Sequence, residues 1–596
     1  MEKEAGNIGK TAVIQQTTNE CANPAIKLRQ TLKGHASQVH EIALSPDGNI
    51  LASSSADGRL CLWQMPNGIF MQKFEHGHFI RSLAWSPDGR IVASGTNRVD
   101  LRDIKTGRHF RTLKRAEYAT KCKINETEYN KIQNISWSAD GRILALNQPG
   151  IIDLWNTGNW KLIKRFHINS YAGNCIAWAP NRETLAFCTN SINFLNRSNV
   201  FLKIGDIRDS EIICVAWSPD GGYIATGSID CTIRIWDLLT KSQTHVLEGH
   251  VDPVISISFM DNGRFLVSLS ENGTMAIWRT DTWVEVAHVD QMCELDGWAT
   301  VAIHENLSSI ILPGKSKGSI DIWDIDLRRL NVAESKTSTV HYVNAKALLV
   351  GDTGVGKTGL GLVLTGNPYA ATDSTHGRNV WTFEASEVEL DGKLKQTRET
   401  LLWDLAGQPG YRVIHQLHLN EVAVALVIFD SRSETDPLAG VHHWDRALRL
   451  ARQRQETQSV PMKKFLISAR NDRGGVSVSK SRIEKLIEDL GFEGYLETSA
   501  KEGWQINELK DAVRKSIDWE KLPVVASSEL FVLIKEFLLE SKKSGRFLAT
   551  SNDLYIDFID EHPEAMAMNY DMHDQFETCI KAIWMYSEIM LHSIDH

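Results

Sequence analysis

One pattern recurs seven times in the first half of the chain and constrains its fold more than any other feature. Each copy has an apolar stretch, a turn such as Ser-Pro-Asp-Gly, and a closing apolar run that usually carries tryptophan. The best-formed copy extends from Val215 through Asp220-Gly221 to Trp236. Apolar and polar residues alternate in these runs, as in Ile233-Arg234-Ile235. This alternation, with Asp-Gly at the turn, is typical of antiparallel hairpins. The closing positions, mostly 39 to 45 residues apart, are 63, 102, 155, 195, 236, 278 and 323.

Copies of this length with Gly-His and Trp-Asp resemble the WD repeat, in which each copy supplies a four-stranded blade. The resemblance implies an all-β, seven-bladed propeller over residues 25–330. We expect Ala25–Leu32 to form the outer strand of the last blade, which leaves no free edge in the ring. The longer interval before position 155 predicts an insertion around Lys114–Lys131. Residues 1–24 are polar and are predicted to be a flexible N-terminus.

The propeller half shows no catalytic cluster of side chains in its sequence. Its repeat histidines, His35, His78 and His250, are predicted to form hydrogen bonds within their blades rather than to bind metal. The strand tryptophans are predicted to pack in the core or between blades. We therefore expect a rigid platform that binds protein or peptide ligands.

A second feature follows a predicted linker at residues 331–342. From Ala347 to Thr358 the chain has an apolar run, a glycine-rich turn and then Lys-Thr at the start of a helix, which fits G-x-x-x-x-G-K-[ST]. Glycines let backbone N–H groups surround phosphate oxygens, the lysine reaches the terminal phosphates, and the threonine hydroxyl can hold Mg²⁺. The predicted phosphate-binding residues are Gly351, Asp352, Thr353, Gly354, Val355, Gly356, Lys357, Thr358 and Gly359.

Two later stretches suit the γ-phosphate and its metal ion. Thr375 follows the loop's helix in a polar segment and can coordinate Mg²⁺. A strand then ends at Asp404, which can hold Mg²⁺ through water, and continues to Gly407 and Gln408. The Gly407 N–H can meet the γ-phosphate, and Gln408 can orient the attacking water.

Two further stretches suit recognition of a guanine base. Asp472, at the end of a buried-type strand, can accept hydrogen bonds from both guanine N–H groups. The Ala500 N–H, in Ser-Ala-Lys after another strand, can meet the guanine oxygen, whereas adenine presents the wrong donors and acceptors. The residues predicted to contact the base are Arg470, Asn471, Asp472, Ser499, Ala500 and Lys501.

With these motifs in order, residues 343–516 resemble a Ras-superfamily small GTPase, and most closely its Roc branch, including bacterial multidomain members. The resemblance implies an α/β P-loop domain that binds GTP/GDP and Mg²⁺, with Gln408 as the catalytic residue. The implied metal ligands are Thr358, Thr375 and Asp404. Arg378 and Arg412 lie near the implied switches, where transition-state stabilisation and ordinary salt-bridging both remain open.

One motif departs from the family pattern, which is usually N-K-x-D or T-K-x-D. Here the stretch is Ala469-Arg470-Asn471-Asp472. Ala469 lacks the side-chain bond that ties this loop to the phosphate loop, while Arg470 can still lay its aliphatic stem over the base. We therefore expect guanine specificity with weakened nucleotide affinity.

Residues 517–596 are predicted to be a helical segment, either winged-helix-like or a truncated piece of the COR domain that follows Roc domains. Helices are expected from about Ser527, over Asp553–Ile559 and over His573–Met585. The segment is too short for a whole COR domain, so dimerisation by that route is in doubt. Whether the C-terminus is a complete domain stays open.

Composition bears on location and partners. The net charge is −9, which argues against a nucleic-acid partner. No run of about 18 apolar residues occurs, so no membrane association is expected. The nine cysteines are scattered singly without a C-x-x-C pair, which fits reduced thiols and a cytoplasmic location.

These features predict a GTP-binding signalling switch with the propeller as its interaction platform, and regulators of the GTPase are further expected partners. Without a supplied arginine, hydrolysis should be slow, on the order of 10⁻⁴ to 10⁻² per second. The alternatives are a scaffold whose guanine nucleotide is structural and not hydrolysed, and an ATP-driven signalling module. The propeller ligand, the upstream signal and the oligomeric state stay open.

Overall fold

The computed structural model describes residues 23–113, 132–168, 175–180, 184–189, 191–195, 200–205, 211–289, 292–293, 299–332, 339–370, 378–390, 394–405, 422–430, 436–454, 462–474, 478–543, 550–563, 573, 576–577 and 579–580. The predicted insertion at Lys114–Lys131 and most of the predicted N-terminal segment 1–24 lie outside these residues.

The chain divides into two compact units. The first contains residues 1–240, 247–339 and 528–596, and the second contains residues 241–246 and 340–527. The boundary near residue 340 falls within the linker predicted at 331–342. The C-terminal segment is grouped with the repeat array rather than with the α/β region that precedes it in the chain.

Twenty-eight strands precede the α/β region among the described residues. They are β1 (Ile26–Lys33), β2 (Val39–Leu44), β3 (Ile50–Ser55), β4 (Arg59–Gln64), β5 (Ile69–Glu75), β6 (Ser82–Trp85), β7 (Ile91–Gly95), β8 (Val99–Asp103), β9 (His109–Leu113), β10 (Asn134–Trp137), β11 (Ile143–Gln148), β12 (Ile151–Asn156), β13 (Lys161–His167), β14 (Ile176–Trp178), β15 (Leu185–Cys188), β16 (Ile192–Leu195), β17 (Val200–Ile204), β18 (Ile212–Trp217), β19 (Tyr223–Ser228), β20 (Ile233–Asp237), β21 (Ser242–Leu247), β22 (Val254–Met260), β23 (Phe265–Ser270), β24 (Met275–Arg279), β25 (Val284–Val289), β26 (Ala302–His304), β27 (Ser309–Pro313) and β28 (Ser319–Ile325).

The first unit is a β-propeller in which, among the described residues, six blades rather than the seven predicted form separate four-stranded sheets. The blades are β2–β5, β6–β9, β10–β13, β14–β17, β22–β25 and β26–β28 with β1. Strands β18, β19 and β20 also pair antiparallel in sequence. Residues 241–246, which contain most of the next strand, β21, are grouped with the second unit, and β21 pairs with a strand of that unit. The repeat pattern predicts β21 as a strand but carries no information about that assignment.

The N-terminal strand completes the last blade, as predicted. β1 pairs antiparallel with β28, from Ile26 opposite Ile325 to Lys33 opposite Ser319. The apolar residues Leu32, Ile320 and Ile322 are buried together in the core between blades. Because the first and last segments of the repeat array share one sheet, the final blade has four strands.

Tryptophans join neighbouring blades, which confirms their predicted packing role. The indole N–H groups of Trp85, Trp178 and Trp217 donate to backbone carbonyl oxygens 2.9, 3.2 and 3.0 Å away. Each acceptor lies one repeat earlier in the chain, at Ala43, Ser136 and Ala177 respectively. A buried indole N–H needs a partner, and the repeat supplies it at a fixed offset.

Two of the three repeat histidines form the expected hydrogen bonds within their blades. His35 Nε2 lies 2.8 Å from Ser53 Oγ, and His250 Nε2 lies 2.7 Å from Ser268 Oγ. The prediction is wrong for His78, which is exposed. In that blade His76 takes the position, with Nε2 3.3 Å from Ser94 Oγ. Both histidines stand beside the same glycine, so only strand register distinguishes them.

The helices of the first unit whose bounds the described residues define are α1 (Leu327–Val332) and, in the C-terminal segment, α6 (Glu529–Lys543) and α7 (Ser551–Glu561). The two C-terminal helices match predicted ones, whereas the helix predicted over His573–Met585 lies largely outside the described residues. α6 and α7 share an apolar cluster with Phe576 and Cys579. Lys535 Nζ of α6 donates to Glu248 Oε2 at 2.6 Å, which joins α6 to the repeat array.

The second unit alternates strands and helices. Its remaining elements are β29 (Thr339–Gly351), α2 (Lys357–Leu364), β30 (Arg378–Leu390), β31 (Leu394–Leu405), β32 (Val422–Asp430), α3 (Ala439–Arg454), β33 (Lys463–Ala469), α4 (Lys480–Leu490), β34 (Gly494–Glu497), α5 (Ile506–Ser516) and β35 (Val524–Ser528). Six strands follow the order β30-β31-β29-β32-β33-β34 and are parallel except for β30, which is antiparallel to β31; β35 also pairs with β29.

Helices cover both faces of this sheet. Leu349 of β29 packs on one face with Leu360 of α2 and Leu509 of α5. Leu348, its neighbour in the strand, packs on the other face with Trp444 of α3. Because successive strand residues point to opposite faces, a continuous apolar run such as Ala347–Val350 suits a central strand buried on both sides. Ligands of such sheets bind at the carboxyl ends of the strands.

Two histidines of the second unit predict a pH-dependent stability. Burial lowers the pKa of His341 on β29 to about 4, and burial together with His341 lowers that of His245 on β21 to about 4, from 6.5. Between these values the unfolded chain binds protons that the folded chain does not. The two neutral histidines therefore contribute fully to the free energy of unfolding above pH 6.5. That contribution is lost as the pH falls toward 4, by up to about 3 kcal/mol for His341.

Urea unfolding of the chain across that pH range measures the effect, and His341→Gln should weaken the pH dependence of stability, leaving the part contributed by His245. The exposed His442 supplies the matched control, since His442→Gln should leave the profile unchanged. A His341→Gln profile identical to that of the wild type would contradict the assignment.

Candidate nucleotide-binding site

The phosphate-loop sequence lies where β29 ends and α2 begins. β29 is parallel to β31 and β32, with Leu349 aligned to Asp404, so three strand ends meet at this edge. A side chain at Gly351 would overlap the carbonyl oxygen of Ile428. Gly356 has φ +102°, which favours glycine. The backbone path of the loop therefore depends on glycine at both positions.

Lys357 is folded onto the loop that precedes it. Its Nζ donates to the carbonyl oxygens of Gly351 at 3.0 Å and Asp352 at 2.9 Å, and the residue is 5 % exposed. Burial lowers the pKa of Lys357, and the carboxylates of Asp404 and Asp352 oppose that shift. A nearly dry ammonium at this position forms strong charge-assisted hydrogen bonds with a phosphate group.

Thr358 and Asp404 bring two hard oxygen donors together. Thr358 Oγ1 donates to Asp404 Oδ2 at 2.6 Å, and Asp404 is fully buried. Mg²⁺ prefers such oxygens and is completed by water and substrate phosphates rather than by a cage of side chains. No group of three His, Cys, Asp or Glu residues able to hold a metal occurs in the described part of the chain. The pair fits Mg²⁺ that arrives with a nucleotide.

Thr358→Val tests the metal contribution of the hydroxyl. The variant keeps the shape of the side chain and removes its oxygen, so we expect the gain in nucleotide affinity on adding Mg²⁺ to shrink about tenfold. Titrations of a fluorescent GDP with Mg²⁺ and with EDTA measure this gain. Thr382→Val, on the exposed surface of β30, serves as the control. An unchanged Mg²⁺ effect in Thr358→Val would contradict the role.

The predicted base-contact loops are joined to each other. Ser499 Oγ donates to Asp472 Oδ1 at 2.7 Å, and Thr498 N donates to the Ser468 carbonyl at 2.8 Å. Asp472 lies in a short 3₁₀ helix, Asn471–Arg473, directly after β33. Holding one carboxylate oxygen on Ser499 fixes the orientation of the carboxyl group, which is what recognition of a flat base edge requires.

Arg470 joins the base-contact loop to the phosphate loop. A Cβ at Gly356 would lie 3.3 Å from Arg470 Nε and 3.8 Å from Ala469 Cβ. Arg470 Nη1 also lies 3.7 Å from Asp430 Oδ2, at the end of β32. The tie that Ala469 cannot form is therefore replaced by packing of Arg470 over Gly356.

A pocket opens between these loops. Its wall contains the predicted residues Gly356, Gly359, Arg470, Asp472, Ala500 and Lys501. It also contains Ala469, noted above for the bond it cannot form, and four residues that the sequence analysis did not predict: Leu360, Tyr369, Ala370 and Thr498. A Cβ on Gly359 would lie 3.0 Å from the Tyr369 ring, so this ring packs on the start of α2. In the sequence, the only sign of this contact is that Tyr369 follows α2 closely.

Other predicted residues are placed differently. The Asn471 amide is buried and donates to the Ser468 carbonyl at 3.3 Å, outside the pocket wall. Val355 packs into the core beneath the loop, where only its backbone can face a phosphate. Thr375, Gly407, Gln408 and Arg412 lie outside the described residues, and the same holds for the side chain of Arg378.

Comparison with known families agrees with this geometry. The model of the Ras family matches residues 346–518. The model described as WD domain, G-beta repeat, matches residues 26–64, 68–99, 203–237 and 241–279. The chain therefore carries WD repeats followed by a Ras-family domain, and a Ras-family domain implies guanine-nucleotide binding.

Individual relatives include THO complex subunit 3 of Arabidopsis thaliana, which is 26 % identical over 43 % of this chain and 78 % of its own length. Anaphase-promoting complex subunit cdc20 of Dictyostelium discoideum is 26 % identical over 33 % of this chain and 41 % of its own. Small ribosomal subunit protein RACK1y of Oryza sativa subsp. japonica is 32 % identical over 22 % and 39 %. The chain thus spans less than half the length of the last two relatives.

None of the described helices is long and apolar enough to cross a bilayer.

Proposed function

We propose that the chain is a cytoplasmic signalling switch whose Ras-family domain, of the Roc type, binds GTP and GDP with Mg²⁺ and hydrolyses GTP slowly. The observation that supports this most is the junction of the two loops. Arg470 packs on Gly356, and Asp472 is oriented by Ser499, so a phosphate grip and a carboxylate suited to guanine line one pocket. A guanine nucleotide requires both groups in one site.

In this proposal the residues divide by chemistry. Lys357 and the loop N–H groups hold the phosphates, Thr358 and Asp404 hold Mg²⁺ together with Thr375, and Asp472 and Ala500 read the base. Gln408 orients the attacking water. Gly407 and Thr375 contact the γ-phosphate, so their contacts are made or lost with GTP hydrolysis and change the state of the chain.

The propeller is proposed to be the interaction platform. The relatives described above are named as subunits of larger assemblies, which supports protein partners rather than small ligands. Regulators of the GTPase are further proposed partners. A pull-down with the whole chain, loaded either with GDP or with a non-hydrolysable GTP analogue, tests the switch: different partners in the two states are expected, and identical partners would contradict it.

Two measurements test nucleotide choice and turnover. Competition between GTP and ATP for the whole chain should favour GTP strongly, and equal binding would exclude guanine specificity. Single-turnover phosphate release should be slow but above background in the wild type and lower in Gln408→Leu. Release at background in the wild type would instead favour a scaffold with a structural nucleotide.

A further inference from the structure

Helix α3 begins directly against the phosphate loop. The contact joins Gly440, the second residue of the helix, to Asp352, the second residue of the loop. A Cβ at Gly440 would lie 2.7 Å from Asp352 Cγ and 3.1 Å from Oδ1, and closer still to Oδ2. Real Cβ atoms do not approach other atoms so closely, so only glycine leaves room for the Asp352 carboxylate at this position.

The helix side of this contact cannot easily move away, so a methyl group at Gly440 must displace the Asp352 carboxylate. α3 is anchored in the core by Val441, which is 1 % exposed, and by Trp444, which is 2 % exposed. Asp352 lies in a loop whose ends are fixed by β29 and α2. The first turn of α3 contains no acidic residue of its own, so a carboxylate beside it meets the favourable end of the helix dipole.

Asp352 is in turn coupled to the phosphate-binding lysine in two ways. Its backbone carbonyl accepts a hydrogen bond from Lys357 Nζ at 2.9 Å, and its carboxylate opposes the effect of burial on the pKa of Lys357. Displacing the Asp352 carboxylate would therefore change the local charge that Lys357 senses, next to the backbone carbonyl to which Lys357 donates. The chain of contacts runs from α3 through Asp352 to the atom that meets the terminal phosphates.

We propose that Gly440 is a positioning residue of the nucleotide site. The absence of a side chain at Gly440 lets the first turn of α3 hold Asp352, and Asp352 sets the phosphate loop and Lys357 for a nucleoside diphosphate or triphosphate. This inference rests on the proposed function. It makes helix α3 an element through which the phosphate grip is adjusted, although no residue of α3 lines the pocket.

A double-mutant cycle on the whole chain tests the proposal, with GDP displacing a fluorescent GDP as the measurement. We expect Gly440→Ala to raise the Kd for GDP about tenfold, because the new methyl group must displace Asp352. Asp352→Ala removes the obstructing carboxylate, so the double variant should bind GDP within about threefold of Asp352→Ala alone. Ala439→Ser adds one atom at the neighbouring exposed position and should match the wild type.

The unfolding free energies of the same proteins, measured without nucleotide, separate positioning from a general effect on the helix. Glycine to alanine ordinarily stabilises a helix, so a loss of stability in Gly440→Ala that Asp352→Ala relieves again indicates the contact. Wild-type affinity in Gly440→Ala, or additive losses in the double variant, would overturn the proposal. If the wild type binds no guanine nucleotide, the proposed function fails. The contact between Gly440 and Asp352 is then still tested by the unfolding free energies of the single and double variants.

Discussion

Lys357→Ala is expected to remove nearly all nucleotide binding. The ammonium is 5 % exposed and donates to two loop carbonyl oxygens, positions from which it can transfer to phosphate oxygens without reorganising the loop. Charge-assisted hydrogen bonds in a dry site contribute most to such binding, and we expect GDP and GTP affinity to fall by roughly two to three orders of magnitude.

Isothermal titration of the whole chain with GDP measures this loss. Lys395→Ala removes an exposed lysine from β31 of the same unit and should leave affinity unchanged. The variant also separates binding from folding: Lys357→Ala should unfold at a temperature close to that of the nucleotide-free wild type. Retention of tight binding in Lys357→Ala would show that the glycine-rich turn does not hold phosphate.

Asp472→Asn is expected to change the base that the site prefers. The Asp472 carboxylate can accept both guanine N–H groups, one on each oxygen, while Oδ1 also accepts the 2.7 Å hydrogen bond from Ser499 Oγ. Asparagine keeps the shape but presents one donor to the base, so a guanine N–H loses its acceptor. Xanthine carries an oxygen where guanine carries the 2-amino group, and that oxygen can accept from the new amide.

We therefore expect GDP affinity to fall about a hundredfold in Asp472→Asn, while affinity for xanthosine diphosphate rises. Competition of the two diphosphates against a fluorescent GDP measures both changes in one experiment. Asp489→Asn, at an exposed position of α4, is the charge-matched control. If GDP affinity were unchanged, Asp472 would only stabilise its loop through Ser499 and would not read the base.

Local sequence patterns were sufficient to predict most of the described strands and helices. The repeat in the first half predicts its strands and the closing role of β1, because hairpin turns and period-two alternation are written within a few residues. The run from Ala347 to Thr358 predicts a strand, a loop and a helix for the same reason. α6 and α7 also follow their predicted positions, since their apolar residues recur at helical spacing.

Contacts between distant segments were not predictable in this way. Gly77 is flanked by two histidines, and the register of a strand selected His76 over His78. β21 follows the repeat pattern as the next strand of a blade, yet most of its residues group with the second unit, and β21 pairs with a strand of that unit. In both cases the local sequence was compatible with two arrangements. Strand register and pairing with distant segments decided between them.

The nucleotide site likewise has features that local sequence predicts and features that only contacts between distant segments produce. The sequence by itself determined which groups are available, because a phosphate loop, a strand-end aspartate and a Ser-Ala-Lys stretch each act through their own backbone and side chains. Only the tertiary structure decided how they support one another: Arg470 over Gly356, Tyr369 against Gly359, and Asp352 against Gly440. These pairs meet through the order of the strands in the sheet and the packing of helices on its faces, and neither is expressed in the spacing of residues along one segment.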